Sequence, residues 1–174
     1  IYYSNYYHRL ADDYQSDLVD FRSIRFPGII SASTLPTGGT SDFLPEMIHA
    51  AAQNQSYKCF VRENSRIPFM TMPDAIHAIE SLMKANPINL SQSIYNVRSF
   101  NPSAFEFSKL VKLYYSEALI EFFSNPKRQS IIDSWPEDID DSMARRDWNW
   151  EPKFRLEDAF SKYFIPELKQ RYNL

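Results

Sequence analysis

Apolar residues recur along this chain at two spacings, and the spacing changes type several times. Residues 1–14 (IYYSNYYHRLADDY) carry aromatic and aliphatic positions at helical intervals, which predicts a helix. Residues 17–26 (DLVDFRSIRF) are instead rich in β-branched and aromatic side chains and stop at Pro27-Gly28, which predicts a strand. Helical spacing returns over residues 43–53, with Phe43, Leu44, Met47, Ile48 and Ala51 on one side. Short strands are predicted at 58–61 and 69–72. Pro73-Asp74 then opens the helix DAIHAIESLMKA, with proline where the first turn tolerates it and an acid near the positive end of the dipole. Its apolar stripe reads Ala75, Ile79, Leu82 and Met83. A strand at 93–97 follows, then Asn101-Pro102-Ser103 opens the helix AFEFSKLVKLYY, and 118–123 is the last strand. Residues 124–137 read as a polar loop, and DIDDSMARRDW and RLEDAFSKYFIPELKQRY read as helices.

Strands alternating with helices predict an α/β protein. Too few strong strands occur for a complete doubly wound sheet, so a part of something larger is expected. The start of the chain points the same way. It opens on Ile1, and no Ser, Thr, Asp or Asn precedes the first helix as a cap, so polypeptide is expected upstream.

Composition narrows the function classes. At 174 residues, 44% hydrophobic and 16% aromatic, the chain can bury a substantial core. A formal net charge of -3 provides no basic excess for nucleic acid or an anionic membrane. No window holds the roughly 18 apolar residues that a membrane span needs. Cys59 is the single cysteine, so no disulfide can form within the chain, and His8, His49 and His77 are far apart, so no metal site is expected. His77 reads as a half-buried structural histidine.

Candidate chemistry is sparse. The chain has three glycines, and two of them are adjacent in Pro36-Thr37-Gly38-Gly39-Thr40-Ser41-Asp42-Phe43. Such a pair brings backbone close to a ligand or makes an ordinary surface turn. The phosphate-loop spacings GxGxxG and GxxxxGK[ST] are absent. Arg25-Phe26-Pro27-Gly28 ends a predicted strand, where open α/β sheets bind ligands, though a plain strand exit reads equally well. Trp135, in Asp133-Ser134-Trp135-Pro136, either closes over a small ligand or plugs the core from outside. Asp74 reads as a helix-starting acid, and Trp148 and Trp150 as packing. No Ser–His–Asp or Cys–His signature occurs, and no tyrosine has a lysine four positions on.

Taken together, four blocks form a pattern: FRSIRFPGIISASTLPTGGTSDF, MTMPDAIHAI, SIYNVRSFNPSAFEF and DSWPEDIDDSMARRDWNWEPKFRLEDAF. In order and without a large gap they resemble the second half of the short-chain type of L-threonine 3-dehydrogenase, an extended short-chain dehydrogenase of the epimerase/dehydratase superfamily. The resemblance implies the C-terminal part of one Rossmann-like domain over residues 1–174: the end of the catalytic helix, the late sheet strands and a small substrate lobe. It implies NAD-dependent oxidation of L-threonine to 2-amino-3-ketobutyrate. Pro27, Gly28 and Ile29 would lie against the nicotinamide, while Gly39, Thr40 and Ser41 would meet the threonine and Trp135 would cap it. Thr37 stands where the family commonly has a third glycine, and Ser41 where threonine is usual. The family's glycine-rich NAD turn and its catalytic Tyr-x-x-x-Lys belong to the other half, so no catalytic residue is assigned in this chain, which is expected to be inactive by itself. Its expected partners are that N-terminal half, or the other subunits of an assembly that keeps it as a structural part, and an oligomer is expected. Relatives in eukaryotes are mitochondrial.

Overall fold

Pro27 has no N–H to give to a ladder, and the extended chain changes partners there. The computed structural model describes residues 20–174, so the predicted helix at 1–14 and residues 17–19 lie outside the described residues. The elements run β1 (Ser23–Arg25), β2 (Gly28–Ile30), α1 (Phe43–Ala52), β3 (Tyr57–Cys59), β4 (Phe69–Thr71) and α2 (Met72–Lys84). After a 3₁₀ turn at Pro87–Asn89 come β5 (Ile94–Asn96), α3 (Ala104–Tyr114), β6 (Ile120–Phe122), α4 (Pro126–Asp133) and α5 (Ser142–Trp148). The last helix begins as α6 (Leu156–Ala159), widens into a π turn at Phe160–Phe164 and ends as α7 (Ile165–Tyr172).

The strands form parallel pairs, β1 with β5, β2 with β4 and β3 with β6, as βαβ connections require. The predicted single strand at 17–26 is therefore corrected. Its described part is short, and a second strand starts at Gly28, where the strand was expected to have stopped. Gly28 pairs with Phe69, and an added Cβ would come within 2.5 Å of the Phe69 ring. Only glycine lets the two strands meet there.

Two apolar clusters flank these pairs. The larger joins α1, α3 and the C-terminal helix, with Phe43, Phe69, Phe107, Phe160 and Phe164 fully buried. The smaller joins α2, β5 and α5 around Tyr95, Trp148 and Trp150. The apolar stripe of α2 is also corrected. Ala75, Ala78 and Leu82 face the cluster, whereas Ile79 and Met83 are exposed. His77 is half-buried beside Trp150, with ring centroids 5.8 Å apart.

Caps match the sequence signals. Ser103 and Glu106 form a reciprocal capping box at α3, and Thr71 accepts from the Asp74 amide at α2. Asp74 is buried and structural, accepting from Ser99 Oγ at 2.8 Å and the Lys153 amide at 2.7 Å. At the other end of α2, Arg22 donates to the carbonyls of Leu82, Met83 and Ala85, at the helix terminus where the regular i to i+4 bonds run out.

The segment 124–137, read as a polar loop, contains α4. Its start is capped by Asn125, whose Oδ1 accepts from the amides of Lys127 and Arg128 at 3.1 and 3.2 Å, with Pro126 in the first turn. Hydrogen bonds anchor it in place of an apolar stripe. Buried Gln129 accepts from the Arg62 amide at 2.7 Å and donates to Ser65 Oγ at 3.0 Å, and Arg62 pairs with Asp133 at 2.6 Å. Among the described residues no helix is long and apolar enough to cross a membrane.

Candidate functional site

Where β1 gives way to β2, the chain lines a cavity of about 390 Å³. Arg25, Phe26, Pro27 and Gly28 form its floor, Ile67 and Pro68 flank them, and Asn96 enters from the end of β5. Ser41 lies on one wall, and Trp135, Pro136 and Ile139 form another. Arg25 is the charged side chain among these, on an otherwise largely apolar surface. Gly39, Thr40 and Ile29 are not part of this lining. Ile29 lines a separate, smaller cavity with Pro36, Thr37 and Asp42.

The Gly38-Gly39 loop owes its shape to its glycines and to Asp42. Gly38 has φ +86°, a conformation that residues with a Cβ rarely adopt. Asp42 occupies the cap position of α1 yet makes no side-chain bond to that helix. Its carboxylate turns back instead, accepting from the amides of Gly39 at 2.8 Å and Thr37 at 3.1 Å. From the other side Arg128 donates to the carbonyls of Gly39 at 2.6 Å and Gly38 at 3.2 Å. This contact was invisible in the sequence, because α4 was read as a loop.

Trp135 hangs from the end of α4, its amide donating to the Ile132 carbonyl at 3.0 Å. The irregular strap beyond it is stitched to the end of β5 and the segment that follows. Asn96 donates to the Asp140 carbonyl at 3.3 Å, Arg98 to that of Ile139 at 3.2 Å and Asn101 to that of Glu137 at 3.3 Å. Arg98 also pairs with Asp138 at 2.8 Å. The wall containing Ile139 is thereby fixed to the same strand pair that supports Arg25.

Behind the cavity the backbone past β2 is fastened to the C-terminal helix. His49 Nε2 faces the Ser31 carbonyl at 2.9 Å, so this nitrogen carries the proton, and Nδ1 accepts from Tyr172 Oη at 2.8 Å. Burial lowers the pKa of His49, more than its bond to Ser31 raises it, so it stays neutral. Cys59 is unsuited to nucleophilic work, since burial pushes its thiol up to about 11.

No family profile matches the chain. Its sequence is 37% identical to a mitochondrial L-threonine 3-dehydrogenase of Bos taurus over 138 residues, 79% of this chain and 37% of that protein. An uncharacterized epimerase/dehydratase of Staphylococcus saprophyticus is 36% identical over 152 residues, 87% of this chain and 47% of that one. Among solved structures, a monomeric L-threonine 3-dehydrogenase from a metagenome superposes with a TM-score of 0.86 at 35% identity. That match covers 98% of this chain and 53% of the solved one. The matches thus span between 37% and 53% of the length of these relatives. Sequence and Rossmann-like α/β architecture agree that the chain belongs to the L-threonine 3-dehydrogenase family, within the epimerase/dehydratase group of short-chain dehydrogenases.

Proposed function

We propose that these residues form the substrate-side, C-terminal part of a domain that oxidises the 3-hydroxyl of L-threonine to 2-amino-3-ketobutyrate with NAD. The observation that carries this reading is the cavity: Pro27, Gly28, Ser41 and Trp135 come from three separate stretches of sequence and line one space. Ser41 offers a hydroxyl to the zwitterion, Arg25 a charge to its carboxylate, and the Trp135 ring covers the bound amino acid. Gly39 and Thr40 shape the loop that carries Ser41.

Only one end of NAD suits the residues present. The flat, apolar stretch at Pro27 and Gly28, packed on Phe69 without room for a Cβ, fits the face of a nicotinamide, with Ile29 next in line. No glycine-rich turn for the pyrophosphate occurs between Ile1 and Leu174. When bound, NAD supplies the hydride acceptor. This chain's residues hold and orient the amino acid and exclude water from it. Removal of the hydroxyl proton needs a base that these residues lack, a tyrosinate with a neighbouring lysine. That base is assigned to the N-terminal half of the family's domain. Among the described residues β1 is paired on one side alone, with β5, which leaves an edge for that half to extend the sheet. The mitochondrial location named for the cattle relative is carried over with this reading.

The test is NADH formation from threonine, followed by absorbance. The 174-residue chain by itself is expected to be silent, and turnover is expected once the N-terminal half is joined or mixed with it. Turnover by the lone, sequence-verified chain would overturn the division of labour. Silence of every combination would favour a dehydrogenase-derived structural subunit. In the active protein, Ser41→Ala is expected to lower kcat/KM for threonine about tenfold or more, from loss of a hydrogen bond to a charged ligand worth roughly 1.5–3 kcal/mol. The KM for NAD should stay unchanged. An unaltered threonine response would remove Ser41 from the site.

A further inference from the structure

We infer that Arg128 is a positioning residue for the substrate loop, and that α4 joins two separate parts of the cavity lining, at Ser41 and at Trp135, into one unit. The inference rests on the reading of that cavity as the threonine site, and deepens it.

The loop around Gly38 and Gly39 has little to hold it. Thr37, Gly38 and Gly39 are exposed, and the glycines carry no side chain to pack. Its polar groups are divided between two anchors of opposite charge. Amides go to the Asp42 carboxylate, and the carbonyls of Gly38 and Gly39 go to the Arg128 guanidinium. The Gly39 carbonyl accepts from the Asp42 amide as well, at 3.1 Å, but that bond lies within the loop. Arg128 alone of these anchors reaches the loop from another element. Its guanidinium carbon lies over the Phe60 ring, 3.1 Å from the centroid. A planar guanidinium can stack on a ring while its N–H groups point sideways at carbonyls, which an ammonium does not reproduce.

The same helix supports Trp135. From Arg128 to Trp135 the chain runs two turns, about 10 Å along the axis, and the Trp135 amide closes the last turn on Ile132. Gln129 and Asp133 hold this helix to Ser65 and Arg62. Ser41 follows the gripped glycines, and Trp135 follows the gripping helix. Arg128 therefore fixes how far Ser41 stands from Trp135, without touching the cavity itself.

Three variants of the intact enzyme test this: Arg128→Gln, Arg128→Lys and, as a control on the same helix, Lys127→Gln. Arg128→Gln is expected to raise the threonine KM roughly tenfold, the scale of one charge-assisted hydrogen bond. The KM for NAD should stay within about twofold, Arg128→Lys should recover part of the loss, and Lys127→Gln should behave as wild type. Hydrogen exchange provides a readout independent of turnover. Amides at 37–43 should exchange faster in Arg128→Gln, while those at 127–134 keep their protection. Unchanged exchange in the loop overturns the inference. So does equal loss of protection in both segments, which marks unfolding of α4, or an unmoved threonine KM in an active enzyme. Should the wild type give no threonine-dependent NADH while the loop still loosens as described, the function reading fails and the anchoring role of Arg128 stands.

Discussion

Asp147→Ala is expected to destabilise the protein by roughly 3 kcal/mol, because it strands the buried Tyr95 hydroxyl at about 1–3 kcal/mol, removes two bonds from part-buried Ser91 and breaks an ion pair. Oδ2 of Asp147 accepts from the Ser91 amide at 2.9 Å, Ser91 Oγ at 2.5 Å and Tyr95 Oη at 2.8 Å, while Oδ1 faces Arg146 Nε at 2.8 Å. Tyr95 is fully buried and Asp147 is 6% exposed, so water cannot take the place of the carboxylate. Burial alone would raise the pKa of Asp147. The bonds from Ser91, Tyr95 and Arg146 outweigh it and hold the carboxyl well below the usual range. A depressed carboxylate contributes stability that is complete above its unfolded value, about 3.9, and lost as pH falls below that. Urea unfolding of the wild type should therefore weaken on acidification from about pH 4 downward. Asp147→Asn should be weaker at neutral pH and flatter in acid. Equal acid slopes for both proteins would show that Asp147 is not the titrating group.

The second large effect is expected at Trp150, whose truncation to alanine should cost about 3–5 kcal/mol. The side chain is fully buried between α2 and α5, with ring centroids 5.8 Å from His77 and 5.6 Å from Trp148. Among the described residues its Nε1 has no hydrogen-bond partner. The indole thus contributes through volume and not through its polar atom, and Trp150→Phe should cost well under half as much as alanine. Urea midpoints of the two variants decide the matter. A phenylalanine variant as unstable as the alanine one would reveal a partner for the N–H. Both substitutions act on the Tyr95, Trp148 and Trp150 cluster and not on the cavity lining, so in the active protein proposed above turnover should fall with stability and not ahead of it.

The elements that were legible in the sequence are those with a strong apolar period or a cap. Residues 43–53 showed five apolar positions on one face, and all five are buried in α1. Asn101-Pro102-Ser103 announced the start of α3, and Ser103 caps it. What was not legible lacks such a period. α4 (PKRQSIID) turns buried Gln129 and Ile132 inward and leaves Ile131 exposed, so its signal was the Asn125-Pro126 start and not a stripe. The partner change at Pro27 leaves no mark in composition, because both flanks favour strand. On α2 the periodic positions Ile79 and Met83 proved exposed, since the buried face is built from small residues, Ala75 and Ala78. At the site, Ser41 and Trp135 were singled out by resemblance, whereas the links between them pass through backbone carbonyls. A carbonyl is the same at every residue, so Arg128 and Asn96 could not be connected to their partners from sequence.

The helix α4 has a consequence for length as well as for chemistry. Arg128 faces the Gly38-Gly39 loop, Gln129 and Asp133 both face Arg62, and Trp135 must arrive at the cavity from the same last turn. One residue added or removed between Asn125 and Trp135 rotates everything beyond it by about 100°, which no change of side chain can undo. Exposed positions such as Lys127 and Ser130 are free to vary in kind. The number of residues in this stretch is not free to vary, and alignments of functional relatives should run through it without gaps.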